Sequence, residues 1–275
     1  MTSLTGKVAI VTGATKVDPG GLNIGGATAA ELVARGARVA LASRNIEDLQ
    51  RLAAQLNEKH GPGVAIAVAT DVRDEEQIER LVATTVSTFG GLQVLVNVAG
   101  VFPVSDGDIA TMSAEVWDDV MAINLRGTML TTKHALPHLR QAGGAIVNTA
   151  STHAFAGDAR FSAYGASKAA ILALTAYTAT QYGREGVRCN AVCPGITVTP
   201  PYRQLPTEFF DLYRRHVPSP ELSGPEELAN LYCFLASDEA KSLNGEHIRA
   251  DGGLLAHQPF VADMDDLVAG LNHSV

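Results

Sequence analysis

A chain of 275 residues, 46% of them hydrophobic and without a break in composition, is long enough for one large core, so a single domain over residues 1–275 is expected. A formal charge of −8 and a pI near 5.5, with no run of Lys and Arg, argue against nucleic acid or an anionic membrane as a partner. The sequence holds no apolar stretch of membrane-spanning length, and its start lacks the charged-then-apolar layout of a secretory signal, so a cytoplasmic protein is expected.

Along the chain, short apolar runs alternate with amphipathic runs of helical length. Strands are predicted at 7–12, 37–43, 64–69, 92–98, 144–150, 187–193 and 247–250, and helices at 24–35, 46–60, 75–89, 114–139, 162–182 and 225–236. Near-continuous Val, Ile, Leu and Ala in the strands implies burial on both faces. The alternation implies an α/β fold built on a parallel, doubly wound sheet. Cys189, Cys193 and Cys233 show neither a disulfide framework nor metal-ligand spacing, and are expected as buried thiols in a reducing compartment, with no metal site.

Ligands of such sheets bind beyond the carboxyl ends of the strands, and the informative residues fall there. The first strand runs into Thr12-Gly13-Ala14, and the next helix opens at Asn23-Ile24-Gly25-Gly26. A glycine-rich turn between strand and helix lets backbone N–H groups and the helix dipole meet a pyrophosphate. The second strand ends at Ser43-Arg44, where a dinucleotide-binding fold reads the adenosine ribose. A hydroxyl and a guanidinium in place of an acid point to NADP(H), with NAD(H) second. Tyr164 and Lys168 stand four residues apart on a predicted helix, with Ser151 upstream. Positions i and i+4 share a helix face, so the ammonium sits beside the phenol. A fixed positive neighbour favours the phenolate and draws its pKa down from about 10, which makes tyrosine a usable general acid or base.

With Thr70-Asp71-Val72, Asn97-Val98-Ala99-Gly100, Asn124-Leu125-Arg126-Gly127, Pro194-Gly195-Ile196-Thr197-Val198-Thr199 and Ala250-Asp251-Gly252-Gly253 added, the chain resembles, from Lys7 to Gly253, the short-chain dehydrogenase/reductase family in its single-domain, Rossmann-type form. The resemblance implies a catalytic set of Asn124, Ser151, Tyr164 and Lys168. Tyr164 would exchange a proton with the substrate oxygen, and Ser151 would polarise that oxygen. Lys168 would lower the Tyr164 pKa and hold the nicotinamide ribose, and Asn124 would position a water linking Lys168 to solvent. It also implies adenine contacts from Asp71 and Val72. Asn97, Ala99 and Gly100 would lie at the adenosine ribose or pack beneath the cofactor. Pro194, Gly195, Thr197 and Thr199 would grip the nicotinamide carboxamide. The implied activity is hydride transfer between NADP(H), or NAD(H), and a secondary alcohol/ketone pair, in a homotetramer. An enoyl reductase and a non-catalytic NADP(H)-binding regulator are the alternatives. The first typically has six residues between Tyr and Lys where this chain has three, and the second usually loses part of the catalytic set that is complete here.

Two departures from the family pattern stand out. Nine residues, where the family has three, separate Gly13 from Asn23, which takes the place of a glycine; the tolerance of Asn for left-handed backbone would let the turn survive. The longer loop brings Lys16, Gly20 and Gly21 within phosphate reach. Val98 stands where a second Asn is common. Residues 200–224 carry Tyr202, Leu205, Phe209, Phe210, Leu212 and Tyr213, interleaved with Arg203, Arg214, Arg215 and His216. They are expected to form a helical lid over an apolar or aromatic small-molecule substrate, or to pack on the body or another subunit. His153 is either a second proton donor or a pocket-lining or surface residue. The tail, 254–275, with Asp263, Asp265 and Asp266 near Leu267 and Val268, is expected to dock on a neighbouring subunit or to fray.

Overall fold

The computed structural model describes residues 3–17 and 21–272. Gly20 lies outside the described residues, as does the side chain of Asp265. In chain order the elements are β1 (Val8–Thr12), β2 (Lys16–Val17), β3 (Gly21–Leu22), α1 (Ile24–Ala34), β4 (Arg38–Ser43), α2 (Ile46–His60), β5 (Ala65–Ala69), α3 (Glu75–Phe89), β6 (Val94–Asn97), α4 (Ala114–Met121), α5 (Gly127–Ala142), β7 (Ala145–Thr149), α6 (Ser162–Tyr182), β8 (Arg188–Pro194), α7 (Thr207–His216), α8 (Pro225–Ala236), β9 (His247–Ala250) and α9 (Val261–Asn272).

Seven of the strands form one parallel sheet in the order β5-β4-β1-β6-β7-β8-β9, so strand order reverses between β1 and β6. A crevice opens at such a reversal, outside the carboxyl ends of the strands. Successive strand residues point to opposite faces: Val39 and Leu41 of β4 join the cluster of Leu32, Leu49, Leu52 and Tyr232, whereas Ala40 and Ala42 join that of Leu81, Leu95, Leu139 and Ile146. Both faces of the sheet are therefore covered by helices, and the near-continuous apolar strands follow from that double burial.

The expected strands and helices are present, with three differences. The expanded loop after β1 is not irregular: β2 and β3 pair antiparallel, Lys16 with Leu22 and Val17 with Gly21. The helix predicted over 114–139 is broken, because Ala122–Arg126 winds as a π-turn between α4 and α5. The tail contains α9, where no helix was predicted, while α7 falls within residues 200–224, where one was expected. Arg215 of α7 pairs with Asp263 and Asp266 of α9, so the tail is tied to α7 of its own chain.

Candidate active site

The carboxyl ends of β1, β4, β5 and β6 and the start of α1 enclose the crevice. At its floor, Gly13 has φ 69°, and a Cβ there would lie 2.7 Å from the Ala99 backbone nitrogen. A Cβ on Gly25 would lie 2.6 Å from the Gly13 carbonyl. Glycine at both positions lets β1, α1 and the segment after β6 close on one another. Asn23 works differently from the expectation. Its backbone is extended (φ −78°, ψ 179°) rather than left-handed. Its carboxamide accepts from Thr15 N (3.1 Å) and Gly26 N (2.8 Å) and donates to the Gly13 carbonyl (2.8 Å). Asn23 thus caps α1 and staples the base of the β2–β3 hairpin, tasks that no glycine performs.

The cleft above this floor is about 320 Å³ and is lined by Gly13, Asn23, Ser43, Arg44, Asp71, Val72, Ala99 and Gly100. Thr15, Ala42, Asn45, Thr70, Val98, Val101 and Ile123 complete the wall. Ile24 and Gly25 sit behind the wall at the start of α1. Asn97 is buried away from the cleft: it donates to Asn148 Oδ1 (2.9 Å) and accepts from Thr131 Oγ1 (2.7 Å), so of its two expected roles the packing one is realised. Asp71 meets Arg73, whose guanidinium hydrogen bonds hold the carboxyl below its ordinary range. Pro194, Gly195, Thr197 and Thr199 follow at the carboxyl end of β8, where Gly195 N donates to the Ala250 carbonyl and Thr199 N to the Thr197 carbonyl (2.7 Å).

A nicotinamide dinucleotide fits this cleft on one specific count. Among the described residues, Ser43 Oγ is the buried side-chain oxygen without a hydrogen-bond partner. It sits beside exposed Arg44, so a polyhydroxyl or phosphate group there would satisfy both. One group of potential metal ligands among the described residues, Glu75, Glu79 and His134, lies away from the cleft, and there Glu75 already accepts from Lys133 (2.6 Å) and His134 (2.9 Å).

The four expected catalytic residues converge at the other end of the cleft. Ser151 follows β7, while Tyr164 and Lys168 lie one turn apart on α6. Lys168 is 3% exposed; its ammonium donates to the Thr149 carbonyl (2.8 Å) and stands 5.5 Å from the centre of the Tyr164 ring. A Cβ on Gly100 would lie 3.3 Å from Asn124 Oδ1 and 3.5 Å from Lys168 Nζ, which brings the fourth member into the same space. The Asn124 side chain is committed to backbone and helix: it accepts from Val101 N (2.8 Å) and donates to the Val101 carbonyl and to Ser167 Oγ, both at 3.1 Å. The π-turn turns it towards that loop.

Electrostatics here depart from the simple expectation of a lowered phenol. Burial pushes Tyr164 up to about 12, with a Ser151 hydrogen bond pulling the other way, and burial pulls Lys168 down to about 8. In the protein alone, desolvation dominates both shifts. His153 stands edge-on to Tyr164 (5.5 Å between ring centres) and to Phe102 (5.8 Å), and burial lowers its pKa. Phe161 stacks on Phe102 at 4.0 Å, and Tyr202, Phe209 and Tyr213 cluster within residues 200–224. The contact of Phe102 with Phe161 was not visible in the sequence, since the two are distant along the chain. Cys189, Cys193 and Cys233 are free and buried, and burial pushes each up to about 12, which removes them as nucleophiles at neutral pH.

Comparison with known proteins follows the geometry. Residues 21–255 match the family model described as enoyl-(acyl carrier protein) reductase. A probable short-chain type dehydrogenase/reductase of Bradyrhizobium diazoefficiens is 39% identical over 94% of this chain and 90% of its own length. The 7alpha-hydroxysteroid dehydrogenase of Bacteroides fragilis is 34% identical over 95% of this chain and 99% of its own. The structure of L-sorbose reductase from Gluconobacter frateurii, complexed with NADPH and L-sorbose, superposes with a TM-score of 0.84 at 28% identity, covering 94% of this chain and 99% of that one. On this shared sequence and fold, the chain belongs to the short-chain dehydrogenase/reductase family and is an NAD(P)-dependent oxidoreductase acting on CH–OH groups.

Proposed function

We propose that the protein interconverts a secondary alcohol and its ketone using NADP(H) in preference to NAD(H), with Tyr164 as general acid/base. The observation that carries this reading is the buried Lys168 ammonium 5.5 Å from the Tyr164 ring, with Ser151 bonded to the same phenol. Gly13, Ser43, Arg44, Asp71, Val72, Ala99 and Gly100 would hold the adenosine and diphosphate portion, and Lys168 the nicotinamide ribose. Pro194, Gly195, Thr197 and Thr199 would hold the carboxamide. A bound nicotinamide would supply or accept the hydride. Ser151 donates to the substrate oxygen and orients it. Tyr164 gives a proton to that oxygen on reduction and takes it on oxidation, and Lys168 steadies the phenolate between the two.

An apolar or aromatic substrate is favoured by Phe102, His153, Phe161 and Tyr202 around the site. The family model's description raises an enoyl reduction, but the one-turn Tyr–Lys interval on α6 favours carbonyl chemistry. A homotetramer is in keeping with exposed Met129, Tyr177 and the apolar side chains of α9. No helix among the described residues is long and apolar enough to cross a membrane, and the free thiols suit a reducing cytoplasm.

Tyr164→Phe tests the mechanism. It should lower kcat at least about 1,000-fold, while NADPH binding measured by nucleotide fluorescence stays within about threefold, because the change removes a transferable proton and little contact surface. Near-normal turnover would refute the assignment.

A further inference from the structure

Asp106 belongs to none of the sets above. It lies in the loop between β6 and α4, and its side chain is 0% exposed. Among the described residues it meets no cation. Its carboxylate accepts instead from the backbone N–H groups of Ala163 (3.1 Å) and Tyr164 (2.7 Å), in the first turn of α6. That helix has no cap of its own: Phe161 occupies the N-cap position, offers no side-chain hydrogen bond, and is held at φ 65°, a left-handed conformation costly for a bulky side chain. A remote carboxylate therefore does the work normally done by a local Ser, Thr, Asp or Asn, where the helix dipole favours negative charge.

The contact is one of a series. The Asp106 carbonyl accepts from Phe161 N (2.9 Å), Ser162 Oγ donates to the Gly107 carbonyl (3.3 Å), and the Arg160 guanidinium donates to the Val104 carbonyl (2.8 Å). Phe102 stacks on Phe161, and the same loop is pinned at its start, where Asn124 brackets Val101. The loop thus braces the π-turn carrying Asn124 against the helix turn carrying Tyr164, and Asp106 is its polar anchor. We propose that Asp106 is a positioning residue for the reaction: by capping the first turn of α6 it fixes the main chain of Tyr164, and so the place of the phenol relative to Ser151 and Lys168. The proposal rests on Tyr164 being the acid/base.

Two measurements test it, one independent of turnover. Amide exchange over 161–166, read by mass spectrometry, should quicken in Asp106→Ala. With NADP(H) and a panel of cyclohexanol, 2,3-butanediol, 1-phenylethanol and their ketones, the same variant should lose about 10- to 100-fold in kcat, since small misplacements of reacting groups are costly. The nucleotide KM should stay within about twofold, because the cap touches no cofactor-facing group. Asp106→Asn, which keeps one acceptor oxygen, should recover kcat to within about threefold of the parent. Unchanged kcat per folded molecule in Asp106→Ala, unchanged exchange, or a loss shared equally by kcat and nucleotide KM would overturn the proposal. If the alanine variant does not fold, Asp106→Asn and Asp106→Ser carry the test. A graded fall in kcat from parent through Asn to Ser supports it, and equal kcat in all three overturns it. Activity surviving in Tyr164→Phe would instead remove the underlying mechanism, while the exchange result would still report on the cap.

Discussion

Arg44 follows β4 with an exposed guanidinium that makes no ion pair among the described residues, one position after a buried hydroxyl that lacks a partner. Its charge reaches Asp71 across the cleft and helps to lower that carboxyl. A ribose 2′-phosphate would meet a cation there, whereas a carboxylate at the same place would repel it and accept from a 2′-hydroxyl. Arg44→Asp should therefore shift the ratio of kcat/KM for NADP(H) over NAD(H) by at least about 10-fold towards NAD(H), measured with both nucleotides on one substrate. An unchanged ratio would assign the discrimination to Ser43 or to the hairpin backbone. This pair was legible in the sequence because its meaning depends on place alone, at the end of the second strand. Asn23 was not: its three hydrogen bonds join Thr15, Gly26 and Gly13, groups that meet only when the hairpin forms.

Elements whose period is local were readable, and those set by a distant partner were not. The run from Ala114 keeps helical periodicity through Leu139, so nothing in it marks the π-turn at Ala122–Arg126 that Asn124 and Val101 hold in place. The aromatic spacing of 200–224 did announce α7, but not what fastens it. His257 answers that in part. Its Nδ1 lies 2.8 Å from the Gln258 carbonyl and its Nε2 2.7 Å from the His216 carbonyl at the end of α7. Carbonyl oxygens only accept, so both bonds form together only in the imidazolium, and these two bonds raise the His257 pKa above the ordinary 6.5. A raised folded-state value means that the tether's contribution is complete below about 6.5 and is lost as pH rises through the folded pKa. Proteolytic cleavage within 200–224, normalised to a peptide substrate of the same protease, should therefore quicken as pH rises above neutrality. His257→Ala should cleave fast at every pH. A parent profile flat from pH 5.5 to 9 would show that the Arg215 ion pairs with Asp263 and Asp266, and not His257, hold α7.

At the scale of the whole molecule, the doubly wound sheet was readable because burial on both faces leaves a compositional mark on every strand, and the order of strands follows from right-handed crossovers. The buried polar network crossing its centre was not, since Asn97 resembles a cofactor contact when only its neighbours in sequence are known. In the fold, Asn97 of β6 donates to Asn148 of β7 and accepts from Thr131 of α5, and Asn148 donates to Thr175 of α6 (2.9 Å). Three elements are thus tied to α6 by side chains that are each at most 3% exposed. Removing one member leaves the others buried and unpaired, which costs about 2–4 kcal/mol in a fully enclosed network. Asn97→Ala should therefore lower the melting temperature by about 4–12 °C for a domain of this size. Nucleotide affinity at a temperature where the variant is folded should stay within about threefold, because the side chain faces the core behind the cleft. A large loss of NADPH affinity with an unchanged melting temperature would return Asn97 to the cofactor site. The opposite pattern would establish that this part of the family motif serves the junction of the sheet with α5 and α6, and acts on catalysis only through the rigidity of α6.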